Sequence, residues 1–404
     1  MHDDKSIEFP ATLWSFYKEN SNILLRLALL LVYFMVNAVF VLKYGSRIVT
    51  HGYLLVTFYL VAVTAIFVLL IRLPSRIFNN RTYISIVIVF CVLMGIVFFI
   101  VPQESLRVDR YEMIKIFWNN TFIGINPYTP LKLNTNIPGP FPCYFALALP
   151  FYLLKEIGLF SLAGFLLFSY ILHRSSLSMR AKTISLLLLV GSPAFAWEIT
   201  CRSTIFLNIV LVLWLMQEME RQSTQGFSSR ESVVYGLLTG FVACTRSVTI
   251  LVLVPYLLYL WRNHRAPHPT LYSVSAIGAF GIPFLPFLTY SSFFQGYNPF
   301  AVQTSLMPGP ATVVVGLISC AVALRLVNFS GFIFFQSICL FVIALIYMSL
   351  RIASYGWHNA IIGDGADISY LILAFPFLFI SIASFFLLES VLRAKFKKSD
   401  VLIK

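Results

Sequence analysis

Charge is scarce in this chain. Only 11% of its 404 residues are Asp, Glu, Lys or Arg, where a soluble domain carries roughly a quarter. That shortage excludes an ordinary soluble fold. Six cysteines in so long a chain form neither a disulfide framework nor a zinc spacing. There is no Gly-x-x-x-x-Gly-Lys-Ser/Thr loop, no dinucleotide fingerprint and no Asp-x-Asp in a soluble sugar-nucleotide domain. No internal repeat or low-complexity segment is visible. The opening decapeptide MHDDKSIEFP is acidic and lacks a short apolar core with a cleavage site, so no signal peptide is expected and the first helix should act as an uncleaved anchor.

What the chain has instead is apolar length. Hydrophobic residues make up 59% of it, in recurring runs of about 20 residues from Asn22 onward, each long enough to cross a hydrocarbon core as a helix. Helices satisfy their own backbone hydrogen bonds in lipid. The expected fold class is therefore an all-α polytopic membrane protein. The net charge of +13 is scattered between apolar runs, which reads as topology-setting charge rather than as a nucleic-acid surface.

The first three spans are expected at about 22–42, 52–72 and 82–101. The joint IRLPSRIFNNR carries Arg72, Arg76 and Arg81 and should be cytosolic. Later joints 173–182, 219–230 and 261–265 and the tail 393–400 are basic or mixed and also read as cytosolic. Joints 196–204, 290–310 and 354–370 are richer in aromatics, Gly and acid and read as outer loops. The apolar segment Tyr144–Leu154 is about 11 residues long, too short to span, and is expected to be re-entrant or interfacial. Cys244–Ser247 is expected to be an outer turn. The count becomes about twelve transmembrane helices with both termini cytosolic.

The stretch RVDRYEMIKIFWNNTFIGINPYTP follows the third span and so falls outside. Tyr111, Ile114, Phe117, Trp118 and Phe122 share a helical stripe opposite Arg110, Lys115 and Asn119. This pattern predicts an interfacial helix with its aromatics toward lipid, ended by Gly124, Asn126 and Pro127. Asp109 then lies at the helix N-terminus. It has two readings, a helix cap favoured by the dipole and a base held at the lipid–water boundary.

Asp109, Tyr111, the aromatic helix, GINPY (124–128) and PGPFPCY (138–144) together resemble the first outer loop of GT-C glycosyltransferases. These polytopic enzymes take a sugar from a polyprenyl-phosphate carrier. EITCRST (198–204), GFVACTRS (240–247), LPFLTYSSFFQGYNPFAVQT (285–304) and DISYLILAFPFL (367–378) resemble the family's later outer turns and terminal helix. The resemblance covers about 100–390 loosely, with short motifs. It implies a GT-C-like module at 76–404, including the outer loop 102–142, and it leaves 1–75 as N-terminal accessory spans. It also implies that Asp109 is the catalytic base. Arg110 stands where some family branches carry a second acid, which speaks against a metal held by paired carboxylates.

Transfer from a lipid phosphate needs a base for the acceptor hydroxyl and cations for the leaving phosphate. Arg246 and Arg202 lie at span ends and suit phosphate, although an interfacial arginine often only snorkels. Tyr111, Asn126, Tyr128, Gln303 and Tyr370 are sugar- or acceptor-pocket candidates. Glu198 is another, or else it pairs with Arg202 at i, i+4. Asp364 and Asp367 are weak candidates for a divalent cation, and no cofactor is required. The expected partners are a polyprenyl-phosphate-linked sugar and a glycan, lipid or protein acceptor. The expected location is an integral membrane, a bacterial inner membrane ahead of the endoplasmic reticulum. A lipid or glycolipid transporter or flippase is the rival, and it predicts mid-helix charges and paired broken helices. A polysaccharide polymerase or ligase would need Arg and His in a late outer loop, and 290–310 has neither.

Overall fold

The computed structural model of the protein describes residues 11–106, 109–130, 136–306 and 309–383. The opening decapeptide, the basic tail 393–400 and residues 107–108 and 131–135 of the first loop lie outside the described residues, and so do the expectations that rest on them.

The described chain is helical throughout. α1 (Ala11–Gly45), α2 (Gly52–Arg72) and α3 (Asn80–Ile100) correspond to the first three expected spans. α3 starts where Asn79 Oδ1 accepts the Thr82 amide at 3.0 Å, a side-chain cap of an otherwise orphan donor. α4 (Arg110–Phe122) is followed by Gly124 at φ +78°. That left-handed turn suits glycine and ends the helix at the expected place. α5 (Pro142–Leu153), α6 (Gly158–Arg174), α7 (Met179–Val190), α8 (Pro193–Thr200), α9 (Ile205–Ser223) and α10 (Ser229–Ala243) follow. Then come α11 (Ile250–Arg262), α12 (Pro269–Gly281), the 3-10 segment Ile282–Thr289, α13 (Ser291–Phe294), α14 (Pro299–Leu306), α15 (Gly309–Ala323) and α16 (Phe329–Tyr355). A closing helix, Ile368–Ala383, begins with 3-10 turns.

Among the described residues, five helices are long and apolar enough to cross a membrane, and counting two bent pairs as single spans makes seven. The twelve expected spans are not reproduced. Runs that look continuous by composition are broken in space: α5 meets α6 at 115° and α7 meets α8 at 61°. The α7–α8 break falls at Gly191-Ser192-Pro193, where proline cannot continue the helical hydrogen bonds of the preceding turn. Ser247–Arg262, Gly309–Ala323 and Ile368–Ala383 are shorter apolar helices, below the roughly 20 residues a full crossing takes.

α9 is the centre of the bundle. Its buried residues run from Ile205 to Ser223 on all sides. Around it Phe90 packs on Phe165 at 4.5 Å and Phe195 on Phe206 at 4.8 Å between ring centroids. Where lipid competes with protein for apolar contact, close packing holds helices together. α10 and α12 show this most plainly. A Cβ at Gly236 would meet the Tyr272 carbonyl at 2.5 Å, and one at Gly240 would clash with the Ala276 carbonyl. The Gly-x-x-x-Gly spacing lets the two backbones touch.

α1 is integrated into the bundle. Tyr33 Oη donates to the Leu188 carbonyl at 3.1 Å, and Asn37 Oδ1 accepts from Ser192 Oγ at 2.6 Å and from the Ala194 amide at 3.2 Å. Lys43 Nζ donates to the Ala366 carbonyl at 2.9 Å. The expected division near residue 75 therefore runs between packed elements. α2 is the peripheral one. It packs on α1, exposes most of its length and is apolar all round, as a helix facing lipid should be.

Candidate functional site

α4 does not lie with its aromatics toward lipid. Tyr111, Ile114 and Phe117 are buried against protein. Phe117 stacks on Phe145 of α5 with ring centroids 3.8 Å apart and 3° between planes, and it meets Tyr128 and Phe287 edge-on. The stripe anticipated from the sequence exists, and protein covers Tyr111, Ile114 and Phe117 while Phe122 at its far end stays exposed. A helix held this firmly presents its N-terminus in a fixed direction.

Asp109 occupies the N-cap position of α4, yet its side chain makes no cap hydrogen bond. Instead Oδ2 accepts from Asn136 Nδ2 at 2.7 Å, and Oδ1 lies 3.7 Å from Arg110 Nη1. The side chain is 38% exposed, so the carboxylate is held and also reachable.

Arg110 connects this carboxylate to residues far along the chain. Its Nη2 donates to Asp367 Oδ1 and Oδ2 at 2.7 and 2.8 Å, and to Ser369 Oγ at 3.0 Å. Ser369 Oγ in turn donates to Glu198 Oε1 at 2.5 Å. Asp367 also accepts the Ser369 amide at 3.1 Å, which caps the closing helix. Burial pushes the Asp367 carboxyl up, but the Arg110 guanidinium outweighs burial and holds it below the ordinary aspartate value. Glu198 is buried in α8 and bonds to Ser369, not to Arg202. The expected i, i+4 pair does not form, because Cys201 ends α8 and Arg202 turns to φ +56°.

That turn carries Arg202 into the interior. Its guanidinium donates to the carbonyls of Thr200 at 2.7 Å, Val101 at 2.7 Å and Phe98 at 3.3 Å, and lies 3.4 Å from Glu156. It is fully buried over the Phe98 ring. Arg202 thus ties α8 to the end of α3, with its donors directed at protein.

Arg246 is placed differently. Its guanidinium lies over the Tyr144 ring at 5.4 Å, and its Nε is buried with no hydrogen-bond partner among the described residues. It lines a narrow crevice with Ile205, Ser247, Val248, Gln303, Tyr370 and Leu373. Gln303 shapes one wall. Its Oε1 accepts from Ser247 Oγ at 2.7 Å, and its Nε2 donates to the Gly139 carbonyl at 2.8 Å. Tyr370 of this crevice directly follows Ser369, which bonds Arg110 and Glu198. The crevice and the acidic cluster are therefore joined through the closing helix.

Other candidates fasten the loops. Asn126 Nδ2 donates to Ser292 Oγ at 3.0 Å and to the Tyr297 carbonyl at 3.1 Å, while its Oδ1 caps the Tyr128 amide at 3.1 Å. Tyr128 is fully buried and donates to the Pro140 carbonyl at 3.3 Å. Tyr111 is buried with Lys115 over its ring. Asp364 pairs with Arg47 at 2.8 Å, so Asp364 and Asp367 are each engaged by an arginine. Among the described residues no group of three or more His, Cys, Asp and Glu could hold a metal ion.

Arg110, Ser369, Tyr144 and Ser247 were not among the site residues expected from the sequence. The only signal for Arg110 was a cation directly beside an acid in a loop otherwise poor in charge. No family model matches this chain, and neither does a curated protein or a solved structure. Its apolar helices mark an all-helical, membrane-embedded protein.

Proposed function

We propose that this chain is a GT-C-like glycosyltransferase. It moves a monosaccharide, mannose or another hexose or pentose, from a polyprenyl-phosphate carrier to an acceptor hydroxyl on a glycan, lipid or protein. In this reading the site faces away from the cytosol, both termini are cytosolic, and no metal is required.

The observation that carries the reading is the occurrence of two unlike groups in segments linked through Arg110, whose partner Ser369 precedes Tyr370 of the Arg246 crevice. Asp109 is a partly exposed carboxylate not used as a helix cap. Arg246 lines a crevice, and its buried Nε has no hydrogen-bond partner among the described residues. Asp109 accepts the proton of the acceptor hydroxyl as its oxygen bonds to the anomeric carbon. The anomeric carbon–phosphate oxygen bond breaks, and its electron pair leaves on the phosphate. The Arg246 guanidinium stabilises the charge that develops there. Arg202, already satisfied by carbonyls, has no part in this step.

The test supplies membranes containing the protein with the same radiolabelled sugar in two forms, polyprenyl-phosphate-linked and nucleotide-linked. The reading expects transfer from the lipid-linked donor only. Transfer from the nucleotide donor alone, or from neither across a panel of sugars, would overturn it.

A further inference from the structure

We infer that Arg110 is a positioning residue for Asp109, joining the first loop to the last so that the proposed base is aimed only when the two loops are together. The inference rests on the assignment of Asp109 as the base.

Three observations lead to it. First, Asp109 gets no aim from the backbone amides of its own helix, since it makes no cap hydrogen bond. What holds it is Asn136 on one side and Arg110 Nη1, at 3.7 Å, on the other. Second, the two ends of the Arg110 fork have different partners. Nη1 faces Asp109, whereas Nη2 is taken by both oxygens of Asp367 and by Ser369 Oγ. Third, the hydrogen bonds run in one direction. Arg110 donates to Ser369 Oγ, which then has its own proton free to donate to Glu198 Oε1. That leaves the Ser369 hydroxyl a single orientation, and it anchors the fork to α8 as well as to the closing helix.

Arg110 lies against two carboxylates, Asp109 at 3.7 Å and Asp367 at 2.7 Å. Asp367 alone would neutralise Arg110 if fastening the loops were its whole task. The contact with Asp109 is what a fastening role leaves unexplained. A planar fork can serve two carboxylates at fixed angles, whereas an ammonium is a single point of charge.

This difference supplies the test, run on the full-length protein in membranes with the polyprenyl-phosphate donor. R110K keeps one charge-assisted contact and should retain a thermal midpoint close to wild type. Its kcat should fall about a hundredfold, the scale of loss from a misplaced catalytic group, with the KM for donor unchanged. The reciprocal exchange R110D/D367R restores the cross-loop pair but sets an acid beside Asp109. Its midpoint should recover relative to R110D alone, while its kcat should not. Recovery of kcat together with the midpoint in either variant would make Arg110 a fastener only and overturn the inference. Wild-type turnover in D109N would overturn the base assignment itself, as would absence of transfer by the wild type, and either takes this inference with it. Loss of turnover in D109N with full turnover in R110K separates the two, ending this inference and leaving the base in place.

Discussion

Two arginines assigned the same task from the sequence should behave in opposite ways when each is replaced by glutamine. Arg202 is fully buried, donates to three backbone carbonyls and faces Glu156. R202Q strands those acceptors and a carboxylate. Each unpaired buried polar group costs about 1–3 kcal/mol, and Glu156 also loses its ion-pair partner, so the protein should lose stability heavily. Arg246 has a buried Nε without a partner among the described residues and a contact with the Tyr144 ring. R246Q gives up a cation–π contact of about 0.5–1 kcal/mol and should change stability little. Its effect should fall on chemistry, because a donor aimed at a developing oxyanion is worth about 10²–10³ in rate. Thermal unfolding of detergent-solubilised protein gives the first quantity, and sugar transfer in membranes gives the second. The reasoning is refuted if R246Q transfers sugar at the wild-type rate, or if R202Q is as stable as wild type.

Three further outcomes are expected. N37A should cost about 1–3 kcal/mol, read as a lower unfolding midpoint, because it strands Ser192 Oγ and the Ala194 amide in the bundle interior; an unchanged midpoint would place α1 outside the core. The Cys143 amide donates to the Cys244 carbonyl at 3.1 Å, which brings two buried free cysteines together, so diamide should protect one pair of thiols from maleimide, counted by mass after denaturation, and C143S should abolish the protection. Asp367 has a folded value below its unfolded one, so its contribution is fully present above the ordinary aspartate value of about 3.9 and is lost as pH falls through the lower folded value. The wild-type unfolding midpoint should therefore fall more steeply with acid below about pH 4 than that of D367N, and parallel curves would contradict the Arg110–Asp367 pair.

Local features of the chain were readable in advance and distant pairings were not. α2 spans Gly52–Arg72, as its apolar run requires, and α4 stops before Gly124. Both follow from short-range rules of length and turn chemistry. The buried stripe of α4 was visible as periodicity, but periodicity names a face and not what covers it. Phe145 and Phe287 do so here. The Arg110–Asp367 pair joins residues 257 positions apart, and nothing in either neighbourhood announces the other. The sequence favours Arg246 over Arg202 for phosphate, since Arg246 interrupts an apolar stretch, but it does not say where either side chain points. The difference arises from one left-handed residue, Arg202 at φ +56°, which turns its side chain inward. The span count failed for a related reason, because hydropathy does not register a 61° or 115° bend.

The central claim is that Asp109 is the base of a lipid-linked glycosyl transfer. Its most direct test is the rate of sugar transfer from polyprenyl phosphate in membranes carrying equal amounts of wild type and D109N. The amide keeps the shape of the carboxylate and can still accept from Asn136, but it cannot take up the acceptor proton. The account predicts transfer by the wild type and its loss in a normally folded D109N. Equal transfer by the two proteins would contradict it.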